Sequence, residues 1–337
     1  MRTLWAALFA LVCHAACGAA TDDAQFNGRW DIAVNGDTPR TRAWWLEVAG
    51  AGADVPKGRF VGAPGGQLDD IPKLSILDGE LRFVFERRYH REGRPPQRGL
   101  YWARLENGKL KGTFEIEGDP TTYLEWTGVR APSLSDKDDG TWKRGEPVQL
   151  FNGKDVAGWQ ALTAGKPHNW TVKDAVLMNS PTSTDLVSEK KYWNFDLHVE
   201  YQVAPHSNSG IGLRGRYEVQ ILDDFGDQPS KHSHGAIYGR IAPKVNASKL
   251  PGEWQTLDLR LIGRQVAVTL NSIKIIEKGT IEGLTAIAQD PNEGEPGPLI
   301  LQGDHGAIQF RKVVLYPLTM GTAASSAGAP GIPAKPR

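Results

Sequence analysis

The stretch Phe195-Asp-Leu-His-Val-Glu-Tyr-Gln-Val203 alternates apolar and polar side chains along its whole length. A period of two is typical of a β-strand whose one face packs on a core while the other faces solvent. The two following segments repeat the alternation, with Ile211 and Leu213 opposed to Asn208 and Arg214, and Val219 and Ile221 opposed to Glu218 and Gln220. We therefore expect three consecutive strands that share one polar, charge-bearing face.

Strand-like runs also fill the rest of the C-terminal half. They are residues 254–262, 265–270, 273–277 and 307–316, and the first two form a hairpin across Gly263-Arg264. No segment of normal helical length lies between them. Many strands at short spacing with almost no helix predict an all-β sandwich of two antiparallel sheets. Sandwiches whose concave outer face is polar commonly hold carbohydrate.

The N-terminal part of the chain, residues 22–131, also shows the signals of antiparallel β-structure. Short strand-like runs occupy residues 44–48, 81–85, 101–105 and 123–126. Two of the connections contain Asp78-Gly79 and Asn107-Gly108, residue pairs that tolerate the positive φ angles of a type I′ hairpin turn. This part therefore predicts a smaller antiparallel β barrel or sandwich that precedes the C-terminal one.

Length, charge and terminal composition set the wider organisation. A chain of 337 residues is long enough for two domains. It has 39 acidic and 39 basic residues, so it has no net charge that would attract nucleic acid or an anionic membrane. Residues 1–20 read as a signal peptide for export, too short for an integral membrane span, with Cys13 and Cys17 inside it. We expect a periplasmic protein, with lipidation at Cys17 as the less favoured alternative. Residues 132–146 read as a linker and residues 319–337 as a disordered tail.

Several motifs of the C-terminal half resemble, in order, the 3-keto-disaccharide hydrolase family. They are Leu150-Phe-Asn-Gly-Lys-Asp-Val-Ala-Gly-Trp159, Asn194-Phe-Asp-Leu-His-Val-Glu-Tyr201, Asn208-Ser-Gly-Ile-Gly-Leu-Arg214, Tyr217-Glu-Val-Gln-Ile-Leu-Asp223, Gly235-Ala-Ile-Tyr-Gly239, Leu301-Gln-Gly-Asp-His-Gly306 and Phe310-Arg311. The resemblance covers residues 147–318. It implies a concanavalin A-like jelly-roll sandwich that acts on sugars oxidised at C3.

The chemistry that the resemblance implies needs a base, an acid and a group that stabilises an enolate oxygen. Glu200 and Glu218 are the candidate bases because both are expected on the polar face, and Arg214 is the candidate for the enolate oxygen. Each of the three could instead form a structural ion pair. His305, at the exposed end of a strand, is the candidate acid or base, although a histidine in a glycine-rich turn is more often structural.

Five further residues are the candidates for substrate binding. Gln220 and Gln302 carry amides that can hydrogen-bond sugar hydroxyls, although they could equally support the strand ladder. The others, which lie in or beside the family motifs, are His198, Asp223 and Tyr238.

We predict neither a metal nor a cofactor. His232 and His234 have a spacing that metals use, but no third ligand follows them in sequence. Glu200, Glu218, Asp223 and Asp224 could hold a cation, but a guanidinium at Arg214 on the same face would repel it. Two other functions stay open: a carbohydrate-binding module without catalysis, and a function carried by the N-terminal domain. The sequence does not set the oligomeric state.

Overall fold

The computed structural model describes residues 23–35, 43–53, 55–62, 68–87, 96–165, 167–180 and 182–320. The predicted signal peptide, including Cys13 and Cys17, and the predicted tail beyond residue 320 lie outside this part of the chain. Within it, no helix is long and apolar enough to cross a membrane.

The N-terminal domain begins with a 3₁₀-helix, Asp23–Phe26, and continues as one antiparallel sheet of nine strands. The strands are β1 (Gly28–Asn35), β2 (Ala43–Ala49), β3 (Lys57–Val61), β4 (Asp69–Asp70), β5 (Lys73–Leu77), β6 (Glu80–Arg87), β7 (Gln97–Glu106), β8 (Lys109–Ile116) and β9 (Asp119–Arg130). Their order in the sheet is β4-β3-β2-β1-β9-β8-β7-β6-β5.

The two edges of this sheet meet, so that the sheet closes into a barrel. The Ile71 N–H, just before β5, donates to the Gly58 carbonyl of β3 at 2.8 Å. The interior is filled with aromatic rings, and Trp44 makes edge-to-face contacts with Phe60, Tyr101 and Phe114 at centroid distances of 5.8, 5.7 and 5.4 Å. Such pairs stabilise a core beyond their buried area. The sequence predicted a small β barrel or sandwich, and the domain is a barrel.

The C-terminal domain consists of two antiparallel sheets packed face to face. Its strands are β10 (Trp142–Arg144), β11 (Val148–Gln149), β12 (Trp159–Ala161), β13 (Thr171–Lys173), β14 (Val176–Met178), β15 (Leu186–Tyr192), β16 (Phe195–Val203), β17 (Asn208–Leu213), β18 (Tyr217–Leu222), β19 (Trp254–Ile262), β20 (Gln265–Leu270), β21 (Ile273–Thr280), β22 (Gly297–Leu301) and β23 (Ile308–Met320).

One sheet of the sandwich has five strands in the order β12-β15-β22-β17-β18. The other has nine, in the order β13-β14-β23-β16-β19-β20-β21, with β10 and β11 also paired to β23. Apolar side chains that alternate along β16, β17 and β18 meet between the sheets and form the core. The predicted concanavalin A-like sandwich is confirmed.

The predicted linker, residues 132–146, lies against the C-terminal domain. Its Asp136 carboxylate accepts hydrogen bonds at 2.8 Å from the side chains of Trp193 and Asn194. Asp138 forms an ion pair with Arg260, at 2.9 Å. The segment ends as β10, which pairs with the last residues of β23 and so adds a strand to the sandwich.

The two domains share an interface that the sequence did not predict. The outer face of β1, β2 and β3 faces the loops of the C-terminal domain, where Trp45 joins the C-terminal core and lies against Gly283. Glu282 accepts hydrogen bonds from Arg29 and Arg59, at 3.1 and 3.3 Å. At the same interface, burial and the neighbouring Glu293 carboxylate raise the pKa of Asp31 to about 8.

Candidate functional site

Three neighbouring strands of the five-stranded sheet, β22, β17 and β18, form the floor of the candidate site. Gly210 of β17 is paired with Gln220 of β18, and its carbonyl accepts a hydrogen bond at 3.0 Å from the Gln302 N–H that follows β22. Residues directly opposite each other in an antiparallel pair point to the same face. The side chains of Gln220 and Gln302 therefore flank Gly210 on the face that points away from the core.

Glu218 lies on this same face, two residues before Gln220 and about 7 Å from it along the strand. It is the single carboxylate in the sequences of β17, β18 and β22. Its backbone N–H donates to the Thr285 hydroxyl at 2.9 Å, and its carbonyl accepts from the Tyr238 N–H at 3.0 Å. These two bonds fix the strand from which the carboxylate projects.

Two glycines create the space that these side chains occupy. A β-carbon at Gly210 would lie 2.6 Å from Glu218 Oε1, and one at Gly212 would lie 2.8 Å from the β-carbon of Ile300. The Glu218 carboxylate therefore lies across the bare backbone of β17. Sequence reasoning did not identify these glycines as site residues, although the Gly-Ile-Gly spacing on a strand was a usable signal.

The amide side chains on this face are buried without complete hydrogen bonding. Glu218, Gln220 and Gln302 are 4%, 3% and 8% exposed. In the described part of the chain, no partner lies within hydrogen-bond distance of Gln220 Oε1, Gln302 Oε1 or Asn208 Oδ1. A buried polar atom left unpaired costs about 1–3 kcal/mol. A bound water or polar ligand can supply the missing partners of such oxygens.

His305 lies in the loop that follows β22, at the Asn208 end of this floor. The loop is held by Asn179, whose amide donates to the carbonyls of Gly303 and Gly306 at 2.8 and 2.6 Å. His305 Nδ1 contacts the Asp304 carboxylate, and the imidazole is exposed. A carboxylate at Nδ1 orients the ring, which suits a proton-transfer role.

Tyr238 lies in a turn beside the edge strand β18, where its backbone N–H donates to the Glu218 carbonyl at 3.0 Å. Its ring packs edge to face on His232, with centroids 4.9 Å apart. His234, by contrast, is buried and contacts the Tyr201 hydroxyl in the core. Burial lowers the pKa of His234 to about 4, so this imidazole is neutral near pH 7.

Asp223 does not face the floor of the site. Its carboxylate accepts the His206 N–H at 2.8 Å and thereby closes the turn that joins β16 to β17. The neighbouring Asp224 accepts the His234 N–H and the Ser248 hydroxyl, at 2.9 and 2.8 Å. Both carboxylates therefore have structural partners.

Glu200 and His198 lie on the other sheet. Because β16 pairs with β19 and β23, its polar face is the outer face of the nine-stranded sheet, on the opposite side of the core from Glu218. The expectation of one polar face shared by three consecutive strands is wrong, since the chain crosses between the sheets after Val203.

The surroundings of Glu200 are those of a surface ion-pair cluster. Its carboxylate lies 2.6 Å from Arg311 and 3.4 Å from Lys312, and 3.3 Å from His198. Partial burial acts to raise the pKa of Glu200, but hydrogen bonds from Arg311 and His198 outweigh it and hold the pKa below its usual value. Glu200 therefore forms a structural ion pair, which was the alternative to its role as a base.

Arg214 also departs from the expectation. Its φ of 54° ends the alternation of β17 and turns the side chain towards Trp193, where it is fully buried. The guanidinium donates to the Trp193 carbonyl at 2.6 Å, the Gly263 carbonyl at 2.8 Å and Asn194 Oδ1 at 3.0 Å. Burial lowers the pKa of Arg214 to about 10. The residue joins loops and does not polarise an enolate oxygen at the Glu218 face.

We expect Arg214→Met to lower the free energy of unfolding by about 3 kcal/mol, because three buried acceptors lose a charged donor. Urea unfolding of the full chain measures the loss. Arg98→Met is the matched control, since it removes an exposed ion pair with Glu117 and should cost about 0–1 kcal/mol. If Arg214→Met keeps its stability but loses turnover, Arg214 would have the catalytic role that the sequence predicted.

Arg214 was expected to repel a cation from the acidic residues of the polar face, but its guanidinium lies instead at the Trp193 and Gly263 carbonyls. Among the described residues, no three histidine, cysteine, aspartate or glutamate side chains are grouped closely enough to hold a metal ion. The absence of a metal and of a cofactor stays a prediction.

Similarity to known proteins is found for the C-terminal domain. No curated protein matches the chain. Among solved structures, it is similar to a candidate glycosyl hydrolase from Parabacteroides distasonis (27% identity, TM-score 0.46, 55% of this chain and 91% of that one). A second such protein from that organism (23%, 0.43, 51% and 100%) and a carbohydrate-binding module from Bacillus subtilis (11%, 0.33, 47% and 95%) are also similar.

A family model described as a 3-keto-alpha-glucoside-1,2-lyase-like domain matches residues 146–315, half of the chain. These residues contain every strand that forms the floor of the site. The chain therefore belongs to the 3-keto-alpha-glucoside-1,2-lyase-like family.

Proposed function

We propose that this protein cleaves glycosides whose sugar has been oxidised at C3. A ketone at C3 acidifies the hydrogen on C2, so a side-chain base can remove it as a proton. The resulting enolate expels the oxygen substituent from C1, and the leaving oxygen takes up a proton. Water then adds across the new double bond, which completes hydrolysis of the glycosidic bond.

The observation that carries this proposal is the position of Glu218. It is a buried carboxylate among amides, on a floor whose three strands contain no second acid. A glycosidase that works through an oxocarbenium ion ordinarily uses two carboxylates that flank the bond. Elimination beside a ketone needs one base, and we assign that role to Glu218.

Gln220 and Gln302 hold the sugar on this floor. Their amides lie on either side of Gly210, and each has an oxygen that lacks a partner within the described residues. Amides can donate to one hydroxyl and accept from another, so they can orient a sugar without placing a second charge beside Glu218. An amide N–H can also donate to the enolate oxygen, which is the kind of stabilisation that elimination requires.

His305 protonates the departing oxygen in this proposal, with Asp304 orienting the imidazole. We expect His305→Ala to lower kcat by about 10² for a substrate with an alkyl leaving group. A 3-keto nitrophenyl glucoside should be much less affected, because nitrophenolate leaves without protonation. Equal losses with both leaving groups would remove His305 from this role.

The substrate itself is tested by comparing a 3-keto-glucoside with its unoxidised parent. We expect aglycone release from the 3-keto compound alone, because without the carbonyl the hydrogen on C2 is too weakly acidic for a carboxylate. Chromatography of the released aglycone measures both rates. Equal cleavage of the two compounds would rule out elimination, and binding of both without cleavage would favour the carbohydrate-binding alternative.

We also propose that the protein acts after export, because residues 1–20 have the pattern of a signal peptide. N-terminal sequencing of the protein recovered from the periplasm tests this. A mature chain that begins shortly after Cys17 supports it, and an intact Met1 in the cytoplasm contradicts it.

A further inference from the structure

The outer surface of the N-terminal barrel has two different halves. On β1, β2 and β3 it is covered by the C-terminal domain, through Trp45, Arg29 and Arg59. On β6 and β7, outward side chains of the described residues are exposed, among them Arg82, Arg98 and Arg104. A groove of about 400 Å³ lies over β7, β8 and β9, within the range of cavities that hold small ligands.

The floor of the groove consists of two rows of outward side chains that run across neighbouring strands. The register of the sheet aligns the first row as Trp102, Thr113, Glu125 and Asn35, and the second as Glu80, Arg104, Lys111 and Thr127. Arg82 of β6 lies opposite Trp102 at the end of the first row, and its guanidinium is paired with Glu80 at 2.6 Å. Because neighbouring strands lie about 4.8 Å apart, each row is about 14 Å long. The groove is thus an extended trough.

Trp102 is the unusual member of this floor. It is a half-buried indole at an outward position of β7. Within the described residues, its N–H has no hydrogen-bond partner and no ring or cation lies over it. The other half-buried tryptophans have such partners: Trp142 donates to the Lys137 carbonyl, Trp193 stacks with Arg214, and Trp254 stacks with Arg311.

The polar neighbours of Trp102 differ between the two rows. The second row is internally paired, because Glu80 binds Arg104 at 3.0 Å and Lys111 donates to Thr127 at 3.1 Å. In the first row, the side chains of Thr113, Glu125 and Asn35 have no hydrogen-bond partner among the described residues. Hydroxyl, carboxylate and amide groups therefore remain available beside the indole.

The charges of the groove favour a neutral ligand. Its lining contains three carboxylates, Glu80, Glu106 and Glu125, and two cations, Arg104 and Lys111. Such a balance attracts neither nucleic acid nor an anionic surface. A neutral sugar chain suits the remaining features, since the apolar face of a sugar ring can stack on indole and its hydroxyls can bond the available polar groups.

We propose that this groove of the N-terminal barrel binds a neutral glycan chain, with one sugar ring stacked on Trp102 and its hydroxyls bonded to Thr113, Glu125 and Asn35. The site needs no oxidised sugar and lies on the opposite half of the barrel from the domain interface. It therefore goes beyond the proposed catalytic function. Binding here would hold the protein on a polysaccharide and raise the effective concentration of chain ends at the other domain.

Affinity electrophoresis of the full chain tests the proposal, in native gels that contain soluble β-glucan, xylan, mannan or α-glucan. We expect at least one of these polysaccharides to slow the protein, and Trp102→Ala to weaken the retardation at least tenfold. Tyr123→Ala is the matched control, since Tyr123 is an exposed aromatic on β9 outside the groove. It should be retarded like the unaltered protein.

Two further variants separate the possible outcomes. Trp102→Phe should retain part of the retardation if the ring stacks on a sugar. Thermal unfolding of Trp102→Ala and Trp102→Phe checks that the barrel is intact. Glu218→Gln should be retarded normally, because the groove is independent of the other domain. Three results would each overturn the proposal. None of the polysaccharides slows the protein, or a folded Trp102→Ala is slowed as much as the unaltered protein, or Glu218→Gln is the one variant that loses the retardation.

Discussion

Replacing Glu218 by glutamine is expected to lower kcat towards a 3-keto-glucoside by about 10³, because an amide cannot accept the proton from C2. Glutamine has the shape of glutamate and can lie across Gly210 in the same way, so the fold should be retained. Steady-state rates of aglycone release, with thermal unfolding as a check on the fold, measure the effect.

Glu200→Gln is the matched control for this variant. Glu200 is a carboxylate on a strand of the same domain, but it lies on the other sheet and pairs with Arg311. We expect its kcat to stay within about twofold of the unaltered protein, as for a surface ion pair remote from the chemistry. Similar losses in the two variants would show that the base had been assigned to the wrong sheet.

Gly210→Ala is expected to lower kcat by about 10², although it adds only a methyl group. The new β-carbon would lie 2.6 Å from Glu218 Oε1 and 3.0 Å from Glu218 Cγ, so the carboxylate must move. A displacement of about 1 Å of a catalytic group can cost 10² in rate. Gly210 lies within a regular strand and has no positive φ, so backbone strain does not contribute.

The control for Gly210→Ala is Gly145→Ala, where the added β-carbon would meet only the Pro317 carbonyl, at an ordinary 3.4 Å. Both variants should unfold at nearly the temperature of the unaltered protein. Full turnover in Gly210→Ala would mean that the position of the Glu218 carboxylate does not limit the reaction, which would contradict its role as the base.

Local turn chemistry made parts of the fold predictable. The Asp78-Gly79 and Asn107-Gly108 turns were predicted because both positions of a type I′ turn need positive φ, and their φ angles are 52° and 70°, and 51° and 74°. The alternation of β16 likewise predicted which of its side chains enter the core. These features depend on neighbours in sequence, so a single sequence reveals them.

The pairing of strands across the sandwich was not predictable in the same way. Alternation shows that Glu200 and Glu218 both face away from the core, but a sandwich has two outer faces and the period is the same on each. Arg214 was misplaced for a different reason, because its positive φ interrupts the alternation and sends the side chain under Trp193. A positive φ at a non-glycine residue cannot be recognised from the pattern of apolar positions.

The domain interface escaped prediction because its parts are distant in sequence. Arg29 and Arg59 meet Glu282 only when the barrel has closed and both domains have docked. Trp45 reads as an ordinary core residue of its own strand, yet it joins the core of the other domain. Long-range contacts of this kind follow from tertiary packing and not from local pattern.

The pairing of β10 with β23 matters for anyone who expresses the C-terminal half by itself. A recombinant fragment that begins at residue 146, where the family similarity starts, would lack β10 and the carboxylates of Asp136 and Asp138. Arg260 and the side chains of Trp193 and Asn194 would then lose those partners, and the last residues of β23 would become a bare sheet edge, which promotes aggregation. The practical cloning boundary of this half therefore lies near residue 132.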